Sequence, residues 1–176
     1  MEFSSMAQTD SIEIYTVSFL CYDEHYLLLQ RSPDKTFAPM RWTGLGGHVE
    51  SDEFSCLRSA ALREVREEAG IDPKDILNFS LRRALLTNRP GSSLGVIFYF
   101  TGVLQQRILP TCPEGKLFWI SPDQFDSLDI IETTRPVLTC LVEDMHNDPQ
   151  GYKPVVTGLG FFNLQGSFTG VVWGIP

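Results

Sequence analysis

Three glutamates, Glu64, Glu67 and Glu68, stand close together in the run Arg63-Glu64-Val65-Arg66-Glu67-Glu68, downstream of the glycines Gly44, Gly46 and Gly47. At about 100° per residue on a helix, the three acids share an arc of about 100°. Leu57 and Ala61 fall between or beside them, so the arc overlaps the edge of an apolar stripe. Glu64 then faces Glu67 at i+3 and Glu68 at i+4, and each like-charge pair costs about 0.2–0.5 kcal/mol. Two of the acids also sit in the last turn, where the helix dipole disfavours negative charge. Arg63, four residues before Glu67, offsets part of this. A carboxylate cluster maintained against its own repulsion beside a glycine turn suits a hard divalent cation, which takes oxygen ligands together with water and substrate phosphates. The bland alternative is a solvated acidic helix face.

The helix that must carry these acids is signalled by Phe54, Leu57, Ala61, Val65 and Ala69, apolar at spacings of three and four. Gly70 and Pro73 predict its end near Ala69. Its start is open, since Ser51, Asp52 or Ser55 could serve as N-cap. Before it, Ile12–Tyr22 and His25–Arg31 are β-rich runs that predict a hairpin. Ser32–Pro39 is a loop, and Met40–Val49 carries the glycine turn. After the helix, Ile76–Leu86 and Leu94–Leu104 are expected as strands around the turn Asn88-Arg89-Pro90-Gly91, with a short strand at Leu117–Ile120. Ser121-Pro122 has a helix-start signature. Arg135–Met145 predicts a second long helix through Val137, Leu138, Leu141, Val142 and Met145. The Gly- and aromatic-rich stretch Tyr152–Trp173 is expected to form a final hairpin. Strands on both sides of a helix and a late second helix imply an α/β sandwich on a mixed sheet.

Composition narrows the class. A chain of 176 residues is most simply one domain, read as residues 11–176 after a flexible tail at 1–10, with Met6 as an alternative start. A net charge of −8 excludes the basic stripe of a nucleic-acid polymer binder, but not a nucleotide whose phosphates a cation screens. Cys21, Cys56, Cys112 and Cys140 form no C-x-x-C pair and read as reduced thiols. No leader or membrane-length apolar run is visible, so a cytoplasmic protein without membrane attachment, monomer or homodimer, is expected.

The whole stretch resembles the Nudix family motif: G, five residues, E, seven residues, then R-E-U-x-E-E-x-G-U with U bulky and aliphatic. Gly47 and Glu53 match the first spacing, and Arg63 to Ile71 match the second half at every specified position. Nine residues instead of seven separate Glu53 from Arg63. The extra two are placed at the turn into the helix, which leaves the role of Glu53 open. The resemblance implies an α/β/α sandwich with a central mixed sheet, and hydrolysis of a phosphoanhydride bond in a small nucleoside diphosphate derivative. It implies Mg²⁺, with Mn²⁺ as a substitute, held by Glu64, Glu67, Glu68 and the backbone carbonyl of Gly46. It assigns Arg63 to orienting a glutamate. A further acid from a late loop, Glu114, is the candidate for an extra ligand or general base, ahead of Asp123, Asp126, Asp129 and Glu132.

Substrate features are sparser. Arg41-Trp42-Thr43-Gly44-Leu45-Gly46-Gly47 is similar to the W-N-G-x-G-G stretch of enzymes that hydrolyse oxidised nucleotides such as 8-oxo-dGTP, with Thr43 in place of the asparagine. Trp42, Thr43 and Gly47 of that stretch, with Arg31 at the end of the preceding β-rich run, are the candidate substrate contacts, and Phe98, Phe100, Phe118, Trp119 and Trp173 the aromatics that could stack on a base. The expected activity is MutT-like: a nucleoside triphosphate cleaved to a monophosphate and pyrophosphate. The alternatives are an ADP-ribose or nucleoside diphosphate-sugar hydrolase, and a catalytically weak nucleotide sensor.

Overall fold

The computed structural model describes residues 11–174; the expected tail at 1–10 lies outside the described residues. The chain forms β1 (Ile12–Tyr22), β2 (His25–Arg31), β3 (Trp42–Thr43), α1 (Leu57–Ala69), β4 (Ile76–Asn88), β5 (Leu94–Leu104), β6 (Gly115–Ile120), α2 (Arg135–Asn147), β7 (Val156–Phe162) and β8 (Phe168–Trp173). The β1–β2 connection is a two-residue turn whose central residues, Asp23 and Glu24, both have positive φ, 48° and 59°. That is the turn geometry that suits the right-handed twist of a hairpin.

All eight strands join one sheet. β1 lies parallel to β5 and β4 parallel to β7, while the other pairs are antiparallel, so the sheet is mixed. Leu29 of β2 pairs with both Thr43 and Leu117, which puts β3 and β6 on opposite edges of β2. Alternation along the strands sends side chains to two faces. Leu20, Leu27, Leu29 and Phe100 bury one face against Ala61, Val65 and Ala69 of α1. Phe19, Leu28, Leu85 and Tyr99 bury the other against Val137, Leu138 and Leu141 of α2. One helix on each face of a mixed sheet is the α/β/α sandwich expected from the sequence.

Three local features differ from expectation. α1 begins at Leu57 with Cys56 in the N-cap position and no side-chain cap, so none of Ser51, Asp52 or Ser55 takes that role. Phe54 lies before the helix and is 56% exposed. Residues 51–55 are a run of turns that absorbs the two extra residues. It is tied down by Glu53, whose carboxylate accepts the Glu50 amide at 3.1 Å. Ser121-Pro122 opens a 3-10 helix, Pro122–Ser127, in place of an α-helix. The end of α1 is as expected: Gly70 adopts φ 63° and its N–H bonds the Arg66 carbonyl at 2.8 Å.

Candidate active site

The glycine segment is held as an extra strand beside the first half of β1. Ser18 and Leu45 exchange backbone bonds at 2.6 and 3.0 Å, and Thr16 N–H bonds Gly47 O at 2.9 Å. This contact requires glycine at position 46, because a Cβ there would stand 1.9 Å from Thr16 O. Alternation turns the Gly46 N–H away from β1, and it donates to Glu68 Oε2 at 2.7 Å. A Cβ at Gly47 would meet Glu64 Oε1 at 2.7 Å. The two glycines therefore let α1 lay its carboxylates directly on the backbone.

The three glutamates differ sharply in environment. Glu68 is buried, 8% exposed. Burial pushes its carboxyl up to about 8, opposed by the Gly46 amide and reinforced by the negative charges of Glu64 and Glu114. Glu64 is also raised, chiefly by burial, with Arg63 pulling the other way. Glu67 is open to solvent, its side chain 60% exposed. The helical arc thus runs from core to surface.

Arg63 organises this face. Its Nε and one Nη clamp both oxygens of Glu53, each at 2.8 Å. The other Nη reaches Glu64 at 2.8 Å and Glu67 at 3.1 Å, and a further bond of 3.1 Å goes to the His48 carbonyl. The guanidinium beside Glu53 holds that carboxyl below its ordinary value. The insertion therefore does not remove Glu53 from the cluster; it engages Arg63 from the turn before α1.

Glu64, Glu67, Glu68, Glu114, Arg31, Thr43, Gly46 and Gly47 all line one cavity of about 730 Å³. Glu114, on the loop before β6, is ion-paired to Lys35. Arg31 is steadied by a 3.0 Å bond to the Phe37 carbonyl. Among the described residues, no three Asp, Glu, His or Cys side chains converge as a ready-made ligand set. Glu64 and Glu67 are instead turned onto Arg63, and Glu68 onto Gly46. The donors still fit a hard divalent cation: all are oxygens, and Glu68 is a desolvated carboxylate whose first compensation is a single amide.

The cavity continues over the sheet face beside α2, where Tyr99 belongs both to the α2 core and to the cavity wall. Tyr15 and Val17 of β1, Gly95, Ile97 and Tyr99 of β5, Thr87 of β4 and Phe162 of β7 line it, with Glu132, Thr133 and Thr134 from the approach to α2. The registers Tyr15↔Ile97, Val17↔Tyr99 and Thr87↔Gly95 put these side chains on one face. Small residues at Gly95 and Thr87 make the depression. A second pocket beside Arg82 and Asp148, about 180 Å³, is much smaller.

Several sequence expectations fall outside this cavity. Trp42 is not in its lining; the ring packs on Phe118 at 5.1 Å between centroids. Phe98, Phe100, Trp119 and Trp173 pack in or against the two cores. Asp123, Asp126 and Asp129 are also absent from the lining, whereas Glu132 is in it. The aromatics that do line it, Tyr15, Phe37, Tyr99 and Phe162, were missed, as was His48, whose ring packs on Tyr15 at 4.1 Å. The available signal was the shared parity of Tyr15, Val17, Ile97 and Tyr99 on two adjacent strands.

The NUDIX domain family model matches residues 14–140, well over half of the chain. The chain belongs to the Nudix family. Solved structures repeat its fold. The MutT protein of Bacillus halodurans superposes with a TM-score of 0.69 at 20% identity, covering 92% of this chain and 97% of that one. The E. coli dihydroneopterin triphosphate pyrophosphohydrolase gives 0.59 at 22% identity, with 76% and 95% covered. A bifunctional NMN adenylyltransferase/ADP ribose pyrophosphatase of Francisella tularensis, complexed with AMP and a Mn ion, gives 0.59 at 19%, with 78% and 43% covered. No curated protein matches the chain. The protein is a Nudix-type hydrolase of phosphoanhydride bonds in small nucleotide substrates, a family that generally works with divalent metals such as Mg²⁺ or Mn²⁺. Its four cysteines are free, and no helix among the described residues is long and apolar enough to cross a membrane.

Proposed function

We propose that this Nudix domain is a MutT-like, Mg²⁺-dependent nucleoside triphosphate pyrophosphohydrolase that releases a monophosphate and pyrophosphate. The observation that carries the reading is the polarity of this large cavity. One end holds Glu64, Glu67, Glu68 and Glu114; the other is lined by Thr87, Ser92, Ser93, Thr133 and Thr134, with Arg89 and Glu132 paired to each other. A ligand with a polyanionic, metal-screened end and a hydrogen-bonding end fits that asymmetry; Glu13, also in the lining, is capped by the Tyr15 hydroxyl at 2.8 Å. The cavity volume lies in the range of small-ligand sites.

Glu64, Glu67, Glu68 and the Gly46 carbonyl would hold the cation, with Glu114 as an added ligand or the base that takes the proton of the attacking water. A divalent cation there would neutralise phosphate charge and lower the pKa of a bound water. Arg63 keeps Glu64 and Glu67 in place by ion pairing and is braced by Glu53. Arg31, beside Glu68 and Glu114, is the cationic side chain placed to meet a phosphate oxygen. Gly47 and Thr43 give the phosphate chain close access to the backbone.

The test is ion-exchange product analysis after incubation with Mg²⁺ and a panel: ordinary and oxidised nucleoside triphosphates, ADP-ribose, sugar nucleotides and dinucleoside polyphosphates. Monophosphate plus pyrophosphate from a triphosphate supports the proposal. Cleavage confined to ADP-ribose or a sugar nucleotide overturns it in favour of a diphosphate-ester hydrolase. Ligand binding without turnover overturns it in favour of a sensor.

A further inference from the structure

The far end of the cavity contains a stacked pair, clamped at its edge, that the acidic end does not explain. Phe162 comes from β7, beyond the residues matched by the family model. The guanidinium of Arg89 lies over its ring, 4.9 Å from the centroid. One Nη of Arg89 also bonds Glu132 Oε1 at 2.8 Å. The other oxygen of Glu132 is taken by Arg41, which in turn bonds Asp129 Oδ1 at 3.1 Å and the Ile130 carbonyl at 2.9 Å. Phe162, Arg89 and Glu132 all line the cavity.

Two features decide what this arrangement is for. The first is charge. Arg89 and Arg41 are balanced by Glu132 and Asp129, so Arg89 is not a free cation awaiting a phosphate. Both oxygens of Glu132 are engaged, so it serves as a clamp and has no free oxygen directed at a ligand. The second is geometry. A guanidinium backed on one face by an aromatic ring and fixed at its edge by a carboxylate is a flat, immobilised plate. Planar Arg groups stack on heteroaromatic rings.

We infer that Arg89, backed by Phe162 and clamped by Glu132, is the plate on which the substrate's base stacks, and that it favours the larger face of a purine. The inference rests on the nucleotide reading of the cavity above. The hydroxyls of Thr87, Ser92 and Ser93 beside the plate supply hydrogen bonds to the ring edge or sugar. The C-terminal hairpin is then a specificity wall whose contribution to the site is Phe162.

The test measures binding without turnover. Titration calorimetry gives the affinity of the wild type and of Arg89→Lys for adenosine and guanosine monophosphates. Lysine keeps the charge and the Glu132 pair but removes the plate. The expected result is a loss of about tenfold for the purine monophosphates, the size of one cation–π or base-stacking contact. Inorganic tripolyphosphate, which carries no base, should bind Arg89→Lys within twofold of wild type. Phe162→Leu keeps apolar bulk on the hairpin and should weaken purine binding in the same direction, with the melting curve confirming the fold. Equal purine affinity in wild type and Arg89→Lys, equal loss for tripolyphosphate and purine, or no purine binding by wild type would each overturn the inference. Arg89-dependent purine binding by a protein that cleaves no triphosphate would uphold it while removing the triphosphate proposal.

Discussion

Glu68 offers the most direct quantitative test of the site. Its carboxyl is 8% exposed and is pushed up from an ordinary 4.5 to about 8, with burial as the leading cause. The unfolded chain releases that proton near the ordinary value. Between roughly pH 4.5 and 8 the folded metal-free protein therefore binds one more proton than the unfolded chain, and stability falls as pH rises. The contribution is present in full below the lower value and lost above the upper one. A displacement of about 3.5 pH units at about 1.36 kcal/mol each corresponds to about 5 kcal/mol. Local rehydration of a carboxylate at a cavity wall reduces this, so a measured difference of about 2–5 kcal/mol is expected. Glu68→Gln keeps an acceptor for the Gly46 amide and cannot ionise. Urea unfolding in EDTA at pH 5 and pH 8.5 supplies four free energies, and the double difference cancels the groups that do not interact with Glu68, leaving Glu68 with its coupled neighbours Glu64 and Glu114. Because pH 5 already lies above the unfolded value, wild type should lose about 2–4 kcal/mol more than Glu68→Gln across that interval. An identical pH slope for the two proteins refutes the claim that Glu68 is a desolvated carboxylate. Adding Mg²⁺ at pH 8.5 should restore stability to wild type and leave Glu68→Gln unchanged.

Glu64→Gln and Glu68→Gln should lower pyrophosphate release at least a hundredfold with the fold retained, whereas Glu67→Gln should cost less, because Glu67 is the most exposed of the three; steady-state rates with Mg²⁺ check the ranking. Arg63→Ala removes bonds to Glu53, Glu64, Glu67 and the His48 carbonyl, and should destabilise the fold by about 2–3 kcal/mol in urea unfolding while reducing kcat more than it raises KM. The two glycines separate fold from site. Gly46→Ala would drive a Cβ to 1.9 Å from Thr16 O and should cost more than about 2 kcal/mol, read as a lowered Tm. Gly47→Ala meets the carboxylate end of Glu64 at 2.7 Å, a side-chain terminus that can rotate aside where backbone cannot, so the fold should melt near the wild-type temperature while activity drops.

What the sequence discloses and what it withholds divide along a physical line. Hydrophobic period, glycine punctuation and turn chemistry are local, and they located β1, β2 and β5 to the residue, the end of α1 at Gly70 and the C-terminal hairpin. The row of glutamates was equally local, since helical geometry alone puts Glu64, Glu67 and Glu68 on one arc. Their ranking was not. Only the packing of α1 against Leu45 and the Gly46 backbone decides that Glu68 is buried and Glu67 wet. Glu53 shows the same limit from the other direction. The longer spacing to Arg63 suggested displacement, yet the added residues form turns outside the helix, and the guanidinium still grips both Glu53 oxygens. Beyond Glu132 and the shared parity of β1 and β5, the far wall of the cavity was hidden, because it is assembled through long-range register. Thr87 meets Gly95 across an antiparallel pair and Gly160 across a parallel one, and that second pairing sets β7, and with it Phe162, beside Arg89. The sequence also directed attention to Trp42, Phe98, Phe100 and Trp119, which pack in or against the cores, and to Phe118, which lies exposed against Trp42. A strand aromatic faces the core or the cavity according to parity. A shift of one residue in register would exchange Phe98 for Tyr99 in the cavity wall. The far wall of the cavity therefore depends on pairings that no contiguous motif encodes, while its acidic end depends on a motif that is contiguous.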